Sequence, residues 1–167
     1  AGSITDIFDI GLSYSQSFNG VDVDFGARWG TGDSNTVGRS DPETWGVGAS
    51  ISVSGFTFGA GYTENENGFA GGVGPTLATS DQEGLSVGVS YDIAGPWTVG
   101  LEGYFGETEV AGGSADYDVI KLAASRSLGA GVSWDVYYFH QETTDDSVGA
   151  GAEIEGDVVA TAINLSF

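Results

Sequence analysis

Residues 8–29 read FDIGLSYSQSFNGVDVDFGARW, and the spacing within this stretch decides the fold. Phe8, Ile10, Leu12, Tyr14 and Phe18 share one parity, while Asp9, Gly11, Ser13, Ser15 and Ser17 share the other. Side chains alternate between the two faces of a strand, so one face is apolar and the other wet. Asn19-Gly20 then reads as a two-residue type I′ turn, because both central positions need positive φ. The chain returns with Val21, Val23, Phe25, Ala27 and Trp29 on the apolar face and Asp22, Asp24, Gly26 and Arg28 opposite.

Outward from this hairpin the same alternation repeats. Trp45, Val47, Ala49, Ile51 and Val53 lead through a Ser54-Gly55 turn to Phe56, Phe58, Ala60 and Tyr62. Leu85, Val87, Val89, Tyr91 and Ile93 lead through Ala94–Pro96 to Trp97, Val99, Leu101 and Phe105. A seventh segment carries Ile120, Leu122, Ala124 and Leu128, with Arg126 on the same parity, which requires either a snorkelling side chain or a bulge. Val132, Trp134, Val136 and Tyr138 form an eighth, and Val159 to Phe167 a ninth. No window of helical spacing competes, and the fold expected over residues 1–167 is all-β, a single domain of about nine antiparallel strands. Tight turns follow strands 1, 3, 5 and 7; long polar stretches follow strands 2, 4, 6 and 8.

Composition narrows the setting. The 167 residues include 24 Asp and Glu against four Lys and Arg, a formal charge of −20, which excludes the basic face that nucleic acid requires. There is no Cys, hence no disulfide framework or thiol metal site. No run of about 18 apolar residues exists to form a membrane helix, but a membrane barrel conceals its hydrophobicity in alternation. A soluble sandwich also alternates. Against it, the wet face is mostly Gly, Ser, Thr and Asp, too small to pack a core, and the apolar face would be a broad exposed band in water.

The aromatic residues add to this reading. Trp29, Trp45, Tyr62, Phe105 and Tyr138 lie toward the long connections, and Phe18, Phe56, Trp97 and Phe167 toward the short turns. Phe8 and Phe18 bracket a span that projects to ~23 Å at a tilt of roughly 45°, near the ~25 Å apolar band of membrane barrels. Two aromatic belts are therefore expected.

Alternating strands, short turns on one side, long connections on the other and the closing TAINLSF together resemble the general diffusion porins of Gram-negative outer membranes. The resemblance covers essentially the whole chain and implies an outer-membrane, water-filled channel, trimeric, in contact with lipid and lipopolysaccharide. It also implies that Phe167 is the terminal aromatic read by the barrel-assembly machinery. Nine is odd, and the first strand starts on the long-connection side, so the 167 residues are expected to be the C-terminal part of a larger barrel, of about sixteen strands by the resemblance. The alternative closes strands 2–9 into a small eight-stranded barrel, a structural or adhesive protein with recognition loops.

Candidate chemistry follows from this frame. On the wet face Asp22, Asp24, Glu102 and Asp135 stand with Arg28 and Lys121 as expected pore-lining residues, an acidic excess that favours cations. Most other carboxylates fall in or beside the long connections, where they are mutually solvated or bind Ca²⁺; "DSNTVG" (Asp33–Gly38) has only an incomplete calcium-loop spacing. Catalysis has little support. The single histidine, His140, lies on the lipid parity near the rim, and no cofactor is required.

Overall fold

A computed structural model describes residues 4–35, 39–69, 79–110, 112–146 and 152–166. Phe167, and with it the expected assembly signal, lies outside the described residues, as does Thr36 to Gly38 of the calcium-like stretch.

Nine strands form one antiparallel sheet in chain order: β1 (Ile4–Phe18), β2 (Val21–Ser34), β3 (Glu43–Val53), β4 (Phe56–Phe69), β5 (Thr79–Asp92), β6 (Trp97–Val110), β7 (Gly113–Gly129), β8 (Val132–Asp145) and β9 (Ala152–Leu165). Each strand pairs only with its chain neighbours. The described part of β1 does not meet β9, so the sheet is open there, and β2 is held by β1 and β3. That pairing excludes the eight-stranded closure of β2–β9. A sandwich is excluded too, because the described residues form no second sheet and no buried hydrophobic core.

The turns follow the sequence. Asn19 and Gly20 take φ of 50° and 80°, and Ser54 and Gly55 take 53° and 83°, the paired positive angles of type I′ hairpins. Nothing lies within 4 Å of a Cβ built on Gly20, so its substitution tests the backbone alone. Gly20→Val is expected to cost about 1–2 kcal/mol, the penalty of a β-branched residue in the left-handed region. A urea-unfolding midpoint in lipid vesicles measures it; an unchanged midpoint would mean that the turn does not fix the β1–β2 register.

Two expectations need correction. The long polar stretches are largely strand. Phe69 pairs with Thr79, Val110 with Gly113 and Asp145 with Ala152, so β4–β9 run past the apolar zone as extended ribbons. Alternation simply continues there with carboxylates and hydroxyls in place of aliphatic groups, and backbone pairing does not depend on that change. Ile93, expected on the fifth strand, instead lies in the β5–β6 connection, where its N–H donates to the Trp97 carbonyl at 2.9 Å.

Arg126 stays in register opposite Trp97, with its guanidinium 5.5 Å from that ring's centre, and the irregularity falls later, between Ser127 and Gly129. The cation is accommodated by an aromatic face at the strand end, so a bulge is not needed to turn it.

Candidate pore wall

Strand pairing brings the polar parity of all nine strands onto one face. Two shallow grooves of about 480 and 530 Å³ follow that face, one past Gly59, Gly61, Gly88, Glu102 and Lys121, the other past Gly11, Ser13, Gly26, Arg28 and Gly46. The many glycines leave the face low and open, so the few large side chains define its relief.

Register places all six charged residues expected to line a pore, Asp22, Asp24, Arg28, Glu102, Lys121 and Asp135, on this one polar face. Arg28 Nε donates to Asp9 Oδ2 at 2.7 Å, and Lys121 Nζ donates to Glu102 Oε2 at 3.0 Å from the directly opposed position. These pairs are solvent-exposed and add little stability; what they do is neutralise both cations of the face. Asp9 was legible as wet-face parity but was not on the expected list, and Asp92 was likewise missed.

The remaining carboxylates are held by neutral donors. Ser17 Oγ donates to Asp22 at 2.5 Å, Ser15 Oγ to Asp24 at 2.6 Å, Thr98 Oγ1 to Asp92 at 2.7 Å and Ser125 Oγ to Asp135 at 2.6 Å; Asn164 also donates to Asp135. None of the four has a cationic partner among the described residues. Their places, early in β2 and β8 and at the end of β5, put all four toward the short-turn end of the wall. A hydroxyl fixes the carboxylate without cancelling its charge, so this end of the face carries a localised negative field.

Of the ten residues expected in aromatic belts, the nine that are described lie on the apolar face. At the long-connection end Phe8 and Trp29 have ring centres 6.1 Å apart, and Trp45 and Tyr62 5.2 Å. Phe105 shares a lateral row with Leu85 and Tyr62, and Tyr138 lies opposite Leu122 and Val159. At the short-turn end Phe56 stacks on Tyr91 at 4.3 Å, and Trp97 meets Trp134 at 5.9 Å. Phe18 closes β1 with 72% of its surface exposed. Tyr91 and Trp134 are additions, recognisable only once their cross-strand partners are known.

Two residues beyond the apolar zone, the same face turns acidic on strand after strand: Glu43 follows Trp45 outward, Glu64 follows Tyr62, Glu83 follows Leu85, Glu107 follows Phe105, Asp118 follows Ile120 and Asp157 follows Val159. Pairing sets like charges directly opposite, Glu64 with Glu83, Glu83 with Glu107, Glu107 with Asp116 and Glu142 with Glu155. Such opposition is destabilising and is bearable only in high dielectric, so the apolar-to-acidic step marks where water begins. The aromatic tips reach across it. Trp29 Nε1 donates to Glu43 at 2.7 Å, Tyr62 Oη to Glu83 at 2.6 Å and Tyr138 Oη to Asp157 at 2.7 Å. The carboxylates expected in loops thus stand mostly on strands. Among the described residues no group of three or more His, Asp or Glu is arranged to hold a metal ion.

His140 lies beyond the same step. Its Nδ1 is 3.0 Å from Asp157 Oδ1; the hydrogen bond to that carboxylate raises the imidazole pKa above its ordinary value. Asp157 is lowered in turn, first by the Tyr138 hydroxyl and then by His140. The imidazole is engaged in a surface pair on the apolar parity, with no serine or threonine hydroxyl among its hydrogen-bond partners.

A family model described as Gram-negative porin matches residues 1–146. This chain belongs to that family. In fold, the porin chain is similar to OmpT, an outer membrane protein of Vibrio cholerae. The outer-membrane-expressed form matches with a TM-score of 0.61 and 15% identity over 95% of this chain and 56% of that one. The in-vitro folded form gives 0.59 and 15% over 93% and 53%, and its trimer form 0.60 and 14% over 93% and 54%. No curated protein matches the chain in sequence at a significant level. The porin chain therefore spans about half the length of these solved structures, and its nine strands are part of an outer-membrane β-barrel. In that setting the apolar face with its exposed Ile10, Leu122 and Val159 faces lipid, since closed barrels satisfy backbone groups internally and present apolar side chains outward. The polar face is the candidate pore wall.

Proposed function

We propose that the full-length protein forms a passive, water-filled channel for small hydrophilic solutes and ions, with a preference for cations. The observation that carries this reading is the lumen face itself: Asp22, Asp24, Asp92 and Asp135 are held by neutral donors alone, whereas Arg28 and Lys121 each face a carboxylate. Rings of like charge on a pore wall bias which ions enter. No catalytic step belongs to the proposal: the single histidine pairs with Asp157 at the outer rim, with no serine or threonine hydroxyl among its hydrogen-bond partners.

The partners follow from the same reading: outer-membrane lipid and lipopolysaccharide around the apolar band, the barrel-assembly machinery reading the segment that ends in Phe167, and two further copies in a trimer. The remaining strands of a closed barrel, about sixteen in all, would pair with the free edges of β1 and β9.

Reversal potentials across a KCl gradient test the channel. Cation preference is expected at ~0.1 M salt, where the Debye length is ~10 Å, and should decline as salt rises. Joint replacement of Asp22, Asp24, Asp92 and Asp135 by Asn should reduce it. Anion preference at low salt would overturn the assignment of selectivity to this wall.

A further inference from the structure

Opposite the acidic end, the lumen face of β6–β8 carries large rings where the other strands carry glycine and serine. Tyr104 and Tyr117 have ring centres 6.1 Å apart and are each 41% exposed. Tyr137 and Phe139 are stacked at 6.3 Å with planes 15° apart. Between them the Glu102–Lys121 pair crosses the wall, with Lys121 Nζ 5.7 Å from the centre of the Tyr137 ring.

Tyr104 is seated, not free. A Cβ at Gly84 would stand 2.5 Å from its hydroxyl, and one at Gly106 would stand 2.9 Å from Cε1, so the ring lies across the two glycines. It borders the groove of about 480 Å³ that also reaches Glu102 and Lys121. The hydroxyls of Tyr104, Tyr117 and Tyr137 have no hydrogen-bond partner among the described residues. Glu102 and Lys121 use one oxygen and one hydrogen on each other, which leaves both an acceptor and donors toward the lumen.

Ring faces in water, flanked by donors and acceptors of both charges, are the chemistry that takes up a molecule with apolar faces and hydroxylated edges. We propose that this strip is a binding site for neutral saccharides: a pyranose ring stacks its C–H face on Tyr104, the Tyr137 ring being covered by Lys121 and Phe139, while its hydroxyls bond to Glu102, Lys121 and the tyrosine hydroxyls. An organic cation fits less well, because Lys121 already occupies the Tyr137 face and would repel it. The proposal rests on the channel reading and adds a solute class to it.

Single-channel recording of the full-length protein in planar bilayers separates the two. In KCl alone, an open-channel current reports the channel. Maltotriose added to that bath is expected to reduce the current saturably, beyond the effect of a polyethylene glycol of equal hydrodynamic size. In the variant Tyr104→Ala its apparent affinity should fall roughly fivefold, the loss expected of one stacking contact. Tyr104→Phe, which keeps the ring and its seat, should lose much less, and heat-modifiable mobility verifies that each variant is folded. If maltotriose merely matches the polymer, or acts equally on the folded Tyr104→Ala variant, the saccharide site is overturned and the channel stands. Saturable block by tetraethylammonium but not by maltotriose would replace the saccharide with an organic cation. A folded protein that gives no current in KCl would overturn the channel reading and this site with it.

Discussion

Arginine at position 87 is expected to destabilise the full-length barrel by about 2–4 kcal/mol, whereas arginine one residue earlier, at Ser86, should be tolerated. Val87 lies inside the apolar band of β5, between Leu85 and Val89 and opposite Ala60 and Gly103, so its lateral and along-strand neighbours offer a guanidinium no polar partner. The charge would therefore start in hydrocarbon and be stabilised only by stretching past Leu85 toward the rim. Ser86 lies on the polar face, where its hydroxyl donates to the Gly61 carbonyl at 3.3 Å, and an arginine there would share the groove with Glu102. Urea titration in lipid vesicles compares the two. Equal midpoints would mean that the apolar face does not contact lipid. A changed conductance is expected only for Ser86→Arg.

Gly131→Ala should be the costliest small substitution in the turns, about 2–4 kcal/mol, from left-handed strain and overpacking together. Gly131 has φ of +69°, and a Cβ there would run into the Ser166 carbonyl oxygen, whose residue donates its N–H to the Gly131 carbonyl at 2.7 Å. The obstacle is backbone, so no side-chain rotation relieves it; the end of β9 must detach. Gly95 provides the control. Its φ is +124°, but nothing lies within 4 Å of a Cβ, so Gly95→Ala should cost only about 1 kcal/mol. Refolding yield and unfolding midpoint distinguish them, and equal losses would show that the β7–β8 turn does not brace the last strand.

Period-two alternation was sufficient to show the nine strands and which face each residue takes, because a strand's two faces are written directly into parity, but not where the strands end. The same parity assigned Asp22, Asp24, Arg28, Glu102, Lys121 and Asp135 to one face, and the Asn-Gly and Ser-Gly turns to their hairpins. Parity does not say which residue stands opposite which. The pairing of Arg28 with Asp9, the seating of Tyr104 over Gly84 and Gly106, and the stacking of Arg126 on Trp97 each depend on register between strands. The acidic rim shows the difference most clearly. Polar composition alone suggests loops for Glu64, Glu83, Glu107 and Glu142, but backbone hydrogen bonding carries the strands beyond the lipid and lines these carboxylates up against one another. Composition determined that this face leaves the membrane; only lateral pairing, a property of neighbouring strands rather than of any one segment, decided that it does so as ordered sheet.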